Sequence, residues 1–208
     1  MINIKNIGII IRNFKENNKK YIGVREDIFN KFYNYDVNII GIPIDNDFNK
    51  IKNIVDLCDG IVLSGGDNFV VQDFLLVNYL YKKNIPTLGI CLGMQSMARC
   101  FSNKEEINVS DHLDNSEYVH YININKGSLL KKIFKKSKLL VNSRHKSAII
   151  HTDLLVSAKS ADGLIEAVEA PNKKFFVGVQ WHPESLNDID TIKLFDYFVN
   201  IVKENKKT

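Results

Sequence analysis

A cysteine framed by glycines, Gly89-Ile90-Cys91-Leu92-Gly93, closes the short apolar run that begins at Thr87. Gly-x-Cys-x-Gly is the spacing of a nucleophile elbow. Its flanking glycines let a strand turn abruptly into a helix, and the nucleophile projects over the ends of the parallel strands. A helix N-terminus beneath sulfur favours the thiolate, the form that attacks a carbonyl. Taken alone, Cys91 fits a small buried packing residue equally well. A second block, Gly178-Val179-Gln180-Trp181-His182-Pro183-Glu184-Ser185, ends a strand in a histidine with a carboxylate two residues later. A Cys–His pair needs a base within reach of sulfur and an acceptor that fixes the imidazole tautomer, and His182 and Glu184 can supply both. A His-Pro-Glu turn by itself is more often a surface loop than a site. Paired with Cys91, it completes nucleophile, base and orienting acid.

These groups need a frame that brings residues 91 and 182 together. Apolar runs at Ile7 to Ile11, Val37 to Ile42, Gly60 to Leu63 and Thr87 to Ile90 read as buried strands. Amphipathic pieces lie between them: Arg25 to Tyr35 places Ile28, Phe29, Phe32 and Tyr33 on one helical face, and Phe74 to Leu80 precedes a Lys82-Lys83-Asn84 helix exit. This alternation implies an α/β fold with a mostly parallel central sheet and helices on both faces. After Arg99 the chain turns β-rich, with alternating stretches at Tyr118 to Ile124 and Leu154 to Ser157. A last strand at Phe175 to Val179 and a closing helix from about Asp190 to Val202 follow. No repeat or long linker divides residues 1–208, so one domain is expected.

The 208 residues are 45% hydrophobic, enough for a substantial core, with a formal net charge of +4. The lysines are scattered rather than gathered on one basic face, which argues against nucleic acid as a partner. Runs such as Asn17-Asn18-Lys19-Lys20 read as compositional drift of an AT-rich genome. Cys58, Cys91 and Cys100 are odd in number and show no metal or redox pairing, which points to a reducing, cytoplasmic setting. No segment approaches the roughly 20 apolar residues that span a bilayer, so no membrane role is expected. His112, His120, His145 and His151 are dispersed and lack the spacing of a zinc site, so no metal is expected.

The sequence resembles the class I glutamine amidotransferase family, and within it the γ-glutamyl hydrolase branch called peptidase family C26. Three blocks carry the resemblance in the family's order: Ser64-Gly65-Gly66, Gly89 to Gln95, and Gly178 to Glu184. Weaker similarity runs through Val141-Asn142-Ser143-Arg144-His145 and Asp162 to Ala167. The resemblance implies a flavodoxin-like fold and no cofactor. It implies that Cys91 attacks the γ-carbonyl of a glutamyl group, that His182 moves the protons, and that Glu184 orients His182. A γ-glutamyl thioester would form, and water would release glutamate. Backbone N–H groups of Leu92 and of Gly66 or Gly65 would hold the oxyanion. Gln95, Asn142, Ser143, Arg144 and His145 would bind the glutamyl moiety. The sequence departs from the commoner family form at Arg144, where a small or aromatic residue is usual, and at Lys146 and Ser147, where Gln or Gly is usual. Arg144 and Arg25 are therefore candidate anion ligands.

Three functions are consistent with these residues. The first is a stand-alone hydrolase of a small-molecule γ-glutamyl amide. The second is a glutaminase subunit passing ammonia to a separate synthetase, and the third a non-catalytic binding protein. The chain is similar in size to small γ-glutamyl amide hydrolases linked to capsule phosphoramidate synthesis, which implies γ-glutamyl-CDP-amidate as a substrate, cut to glutamate and cytidine diphosphoramidate. Self-association is left open.

Overall fold

The computed structural model describes residues 4–44, 46–102 and 107–205. Its elements in chain order are β1 (Lys5–Glu16), β2 (Lys19–Gly23), α1 (Glu26–Asn30), β3 (Val37–Pro43), α2 (Phe48–Val55), β4 (Gly60–Leu63), α3 (Val71–Lys83), β5 (Thr87–Ile90) and α4 (Leu92–Cys100). The second half adds β6 (Ile107–Asn108), β7 (His120–Ile124), α5 (Leu129–Phe134), β8 (Lys138–Val141), β9 (Ser147–Ala148), β10 (Leu155–Ser160), β11 (Ile165–Glu169), β12 (Phe176–Val179), a 3-10 turn (Pro183–Ser185) and α6 (Ile189–Glu204).

One sheet runs in the order β2-β1-β4-β5-β12-β11-β10-β7-β8, and β3 also pairs with β1. Strands β3, β1, β4, β5 and β12 are mutually parallel, while β12 to β8 continue as an antiparallel wing. The expected α/β fold and its β-rich second half are therefore present. Successive side chains of a strand face opposite sides of a sheet. Accordingly Ile7, Ile9, Val62, Leu88 and Ile90 enter one core with residues of α1, α5 and α6. Ile10, Ile61 and Leu63 enter the other with residues of α2, α3 and α4. Among the described residues no helix is long and apolar enough to cross a membrane.

Two local expectations are corrected. β1 continues past Ile11 to Glu16 and folds back on β2, with Glu16 opposite Lys19 and Asn17 and Asn18 at φ 48° and 60°. A two-residue hairpin turn of this kind needs left-handed backbone at both central positions, which asparagine tolerates best after glycine. The Asn17 to Lys20 run is thus turn chemistry rather than compositional drift. The helix expected over Arg25 to Tyr35 is only Glu26–Asn30. Beyond it Phe32 N–H bonds Phe29 and Tyr35 N–H bonds Phe32, both three residues back. The chain tightens into turns there because Asn30 and the aromatic residues favour helix weakly. Phe32 is buried nonetheless. The other two helices fare better: α3 ends at Asn84 in the left-handed region, and α6 starts on Asp188, whose side chain accepts from Asp190 and Thr191 N–H.

Candidate active site

Cys91 sits between β5 and α4 at φ 51°, ψ −107°, a conformation that strains any residue with a side chain. Glycines on both sides make the corner feasible. A Cβ on Gly93 would lie 2.1 Å from the Leu63 carbonyl oxygen, and one on Gly89 would lie 2.5 Å from the Met97 sulfur. Cys91 N–H donates to Val179 O at 2.9 Å, and Gln95 N–H donates to Cys91 O at 3.0 Å, so the corner is held from both strand and helix. β12 lies parallel beside β5 with Val179 opposite Ile90. The chain leaving β12 therefore delivers His182 next to the residue leaving β5.

His182 Nδ1 and Glu184 Oε1 are 2.6 Å apart, which leaves Nε2 for the Cys91 thiol, a hydrogen-bond partner of the ring. Asn142 clamps the histidine backbone, accepting from His182 N–H at 2.8 Å and donating to His182 O at 2.9 Å. Burial works against a charged ring, yet the Glu184 charge and the hydrogen bonds to Cys91 and Glu184 outweigh it, and the His182 pKa is raised to about 10. The pair thus presents an imidazolium to sulfur at neutral pH.

The Ser64-Gly65-Gly66 exit of β4 faces the same space. A Cβ on Gly65 would lie 3.0 Å from His182 Cε1 and 3.6 Å from Cys91 Cβ. Leu92 opens α4, so its N–H has no acceptor within the helix. The β4 exit is braced by a buried pair that the sequence did not reveal. Arg12 forms a two-pronged contact with Asp73 at 2.7 and 3.1 Å and donates to Ser64 O at 3.3 Å, while Asp73 also caps Val70 N–H. A cleft of about 400 Å³ opens beside His182 and Glu184, lined by Arg12, Phe14, Val24, Arg25, Gly66 and His182 among others. The hairpin supplies one wall of it, and Arg25 stands where the sequence placed a candidate anion ligand.

The remaining candidates divide. Gln95 is buried and donates to Ser147 O at 2.8 Å and Gln180 Oε1 at 3.1 Å, while Gln180 Nε2 lies 3.6 Å from Cys91 sulfur. Asn142 serves His182, as above, and Ser143 Oγ donates to His112 O at 2.8 Å. Arg144 donates to Ser185 Oγ at 2.9 Å, Ser185 reaches Asp27 at 3.3 Å, and Asp27 pairs with Arg25 at 2.6 Å. The two arginines thus share one polar chain. His145 is buried with Nδ1 on Ser147 O at 3.0 Å. The side chains of Asn142, Ser143 and His145 are thus engaged within the protein, and none of the three is among the residues that line the cleft. The histidines are also less dispersed than their spacing suggests: His112, His120 and His145 converge on Glu166, at 3.7, 3.6 and 3.8 Å from its Oε1.

The Peptidase C26 family profile matches residues 71–184, which run from α3 to Glu184 and include Cys91 and His182. A glutamine amidotransferase-like protein of Rickettsia prowazekii is 30% identical over 238 aligned positions, covering 78% of this chain and 84% of its own. The γ-glutamyl-γ-aminobutyrate hydrolase PuuD of Escherichia coli is 30% identical over 126 positions, 52% of this chain and 50% of that one. In fold, the chain is similar to a GMP synthase subunit of Thermoplasma acidophilum, with a TM-score of 0.75 at 20% identity over 97% of this chain and 96% of that one. The chain belongs to the peptidase C26 branch of the class I glutamine amidotransferases, and with it to the cysteine-dependent amide hydrolases.

Proposed function

We propose that this chain is a stand-alone hydrolase of a substituted γ-glutamyl amide, with Cys91 as nucleophile, His182 as proton carrier and Glu184 as its orienting group. Sulfur adds to the γ-carbonyl, and the oxyanion is met by N–H groups of Leu92 and of Gly65 or Gly66. The His182 imidazolium gives its proton to the departing nitrogen, which leaves a γ-glutamyl thioester and a neutral imidazole. That imidazole takes a proton from water, whose oxygen attacks the thioester and releases glutamate, restoring the starting pair.

The observation that carries this reading is the 2.6 Å His182–Glu184 contact beside a strained Cys91, with His182 and Glu184 lining a cleft of about 400 Å³. A binding protein has no physical need to keep nucleophile, base and orienting acid together. The cleft is larger than the amide of glutamine requires, and Arg25 on its wall, held by Asp27 at 2.6 Å, suits an anionic leaving group such as a nucleoside diphosphate amidate, whereas Arg12 is committed to Asp73. γ-Glutamyl-CDP-amidate fits that description. The alternative, a glutaminase subunit serving a separate synthetase, is favoured by the near full-length similarity to a GMP synthase subunit.

Glutamate release is to be measured for the purified protein and its Cys91→Ala variant on L-glutamine, γ-glutamyl amines and γ-glutamyl-CDP-amidate. Turnover of a substituted amide well above that of glutamine, and absent in the variant, is the expected result. Turnover of glutamine alone would favour the subunit reading, and no turnover of any of them would favour a binding protein.

A further inference from the structure

Glu166 is fully buried in β11, and neither of its carboxylate oxygens has a hydrogen-bond partner among the described residues. Leaving a carboxylate in that state costs several kcal/mol unless a cation compensates it. The inward nitrogens around it are His112 Nδ1, His120 Nε2 and His145 Nε2, and the last two likewise lack partners.

The outer ring nitrogens decide what the inner ones can do. His112 Nε2 lies 2.9 Å from Asp162 Oδ2, His145 Nδ1 lies 3.0 Å from Ser147 O, and His120 Nδ1 lies 3.5 Å from Tyr121 O. Each of these partners only accepts, so each ring carries its proton on the outer nitrogen and turns a lone pair inward. Three lone pairs and a carboxylate then face one another, and the hydroxyl at hand, Ser143 Oγ at 3.4 Å from His112 Nδ1, gives its proton to His112 O at 2.8 Å. A proton shared with Glu166 would draw one ring to about 2.7–2.9 Å, whereas all three stand at 3.6 to 3.8 Å. A buried water has two protons and would leave two of the four acceptors unserved. Tetrahedral zinc with bonds of about 2.0–2.1 Å sets its ligands about 3.3–3.4 Å apart, and the donor atoms of His112, His120 and Glu166 already lie within 4.8 Å of one another.

The surroundings point the same way. Along residues 107–119 the only buried side chain is His112. That stretch is tied down by polar contacts: the two-residue β6–β9 pairing, a bridge from Leu113 to Arg144, and hydrogen bonds such as Val109 N–H to Lys146 O and Val119 N–H to Val141 O. It has no apolar anchor, and a metal ligand is the anchor such a loop can use. Outer carboxylate and carbonyl partners on the second nitrogen are also what metal-bound histidines have.

We propose that His112, His120 and Glu166 hold a divalent transition-metal ion, with zinc favoured by the imidazole-rich donor set and His145 beside it, 3.8 Å from Glu166. The ion joins the 107–119 loop, β7 and β11. It keeps a fourth tetrahedral position for a water or for a shifted His145. It lies next to the candidate active site through Gln180, whose backbone N–H donates to Glu166 O at 2.8 Å.

The test uses the Cys91→Ala protein, so that zinc cannot bind a thiol next to His182. The protein is stripped with a chelator, and zinc is titrated in competition with a chromophoric chelator. The expected result is one zinc per chain, a higher thermal midpoint with zinc, and affinity at least about 100-fold weaker in His120→Ala and Glu166→Gln. X-ray absorption at the zinc edge of the parent protein should count about four nitrogen and oxygen ligands with imidazole scattering, a readout that does not depend on whether the variants fold. A parent that binds no zinc, or variants that bind it as tightly as the parent, would overturn the site.

Discussion

Glu184 meets His182 through one short contact, and that contact governs both the tautomer and the charge of the ring. The folded pKa of about 10 lies above the ordinary value of 6.5, so the folded chain keeps a proton that the unfolded chain releases between those values. The resulting stabilisation is complete below about pH 6.5 and is lost as the pH rises through about 10. In Glu184→Gln the charge that raises the pKa is gone while the burial that lowers it remains. The alkaline limb of kcat/KM should therefore move to lower pH, kcat should fall about 10²–10⁴-fold, and the thermal midpoint should change less between about pH 7 and 10 than in the parent. Parallel pH profiles of turnover and melting check this, and an unmoved alkaline limb would count against the ring's proposed role. Cys91, His182 and Glu184 were legible because their signals are local: two glycines at fixed offsets, and a carboxylate two residues from a histidine. Gln180 and Asn142 were not legible in their observed roles, because what they do depends on partners 89 and 40 residues away.

At the scale of elements, the exit of β4 depends on β1 and α3 through Arg12 and Asp73, 61 residues apart. Both are buried, so removing one charge strands the other. Asp73→Asn should cost about 3–5 kcal/mol of stability, read by urea unfolding. It should also lower kcat more than it raises KM, because Ser64 to Gly66 lose their brace while the cleft remains. The double variant Arg12→Met/Asp73→Leu separates the two effects: stability should largely return and turnover should not. Full recovery of turnover would show that the pair only holds the fold. The parallel strands were readable because each is a short apolar run between turn residues. The hairpin was not, since Phe14, Tyr21 and Ile22 are exposed and their strands lack a buried face to give a pattern. Its signature was the Asn17-Asn18 turn alone. The early end of α1 went unread for the opposite reason, because Phe32 is buried from a turn as effectively as from a helix.

At the scale of the whole molecule, β12 is the seam where the parallel strands meet the antiparallel wing, and His182 leaves from that seam. Cys91 and His182 are therefore brought together only if both halves fold against each other. α6 links them on one face: Phe198 packs edge-on to Phe32 near α1 at 6.4 Å between ring centroids, and against Phe175 before β12 at 5.3 Å. It also fills the space over Gly60 of β4, where a Cβ would lie 3.4 Å from its ring. If residues 1–208 form one domain, this contact stabilises the whole chain rather than one part. Phe198→Ala should then cost about 3–5 kcal/mol. Circular dichroism, tryptophan fluorescence from the single Trp181 and residual amidase activity should all be lost in one coincident, earlier transition. Trp181 adjoins His182 on the seam, so its fluorescence reports the site directly. A variant in which that signal and turnover disappear well before the bulk of the secondary structure would mean that the wing melts away from the parallel strands on its own.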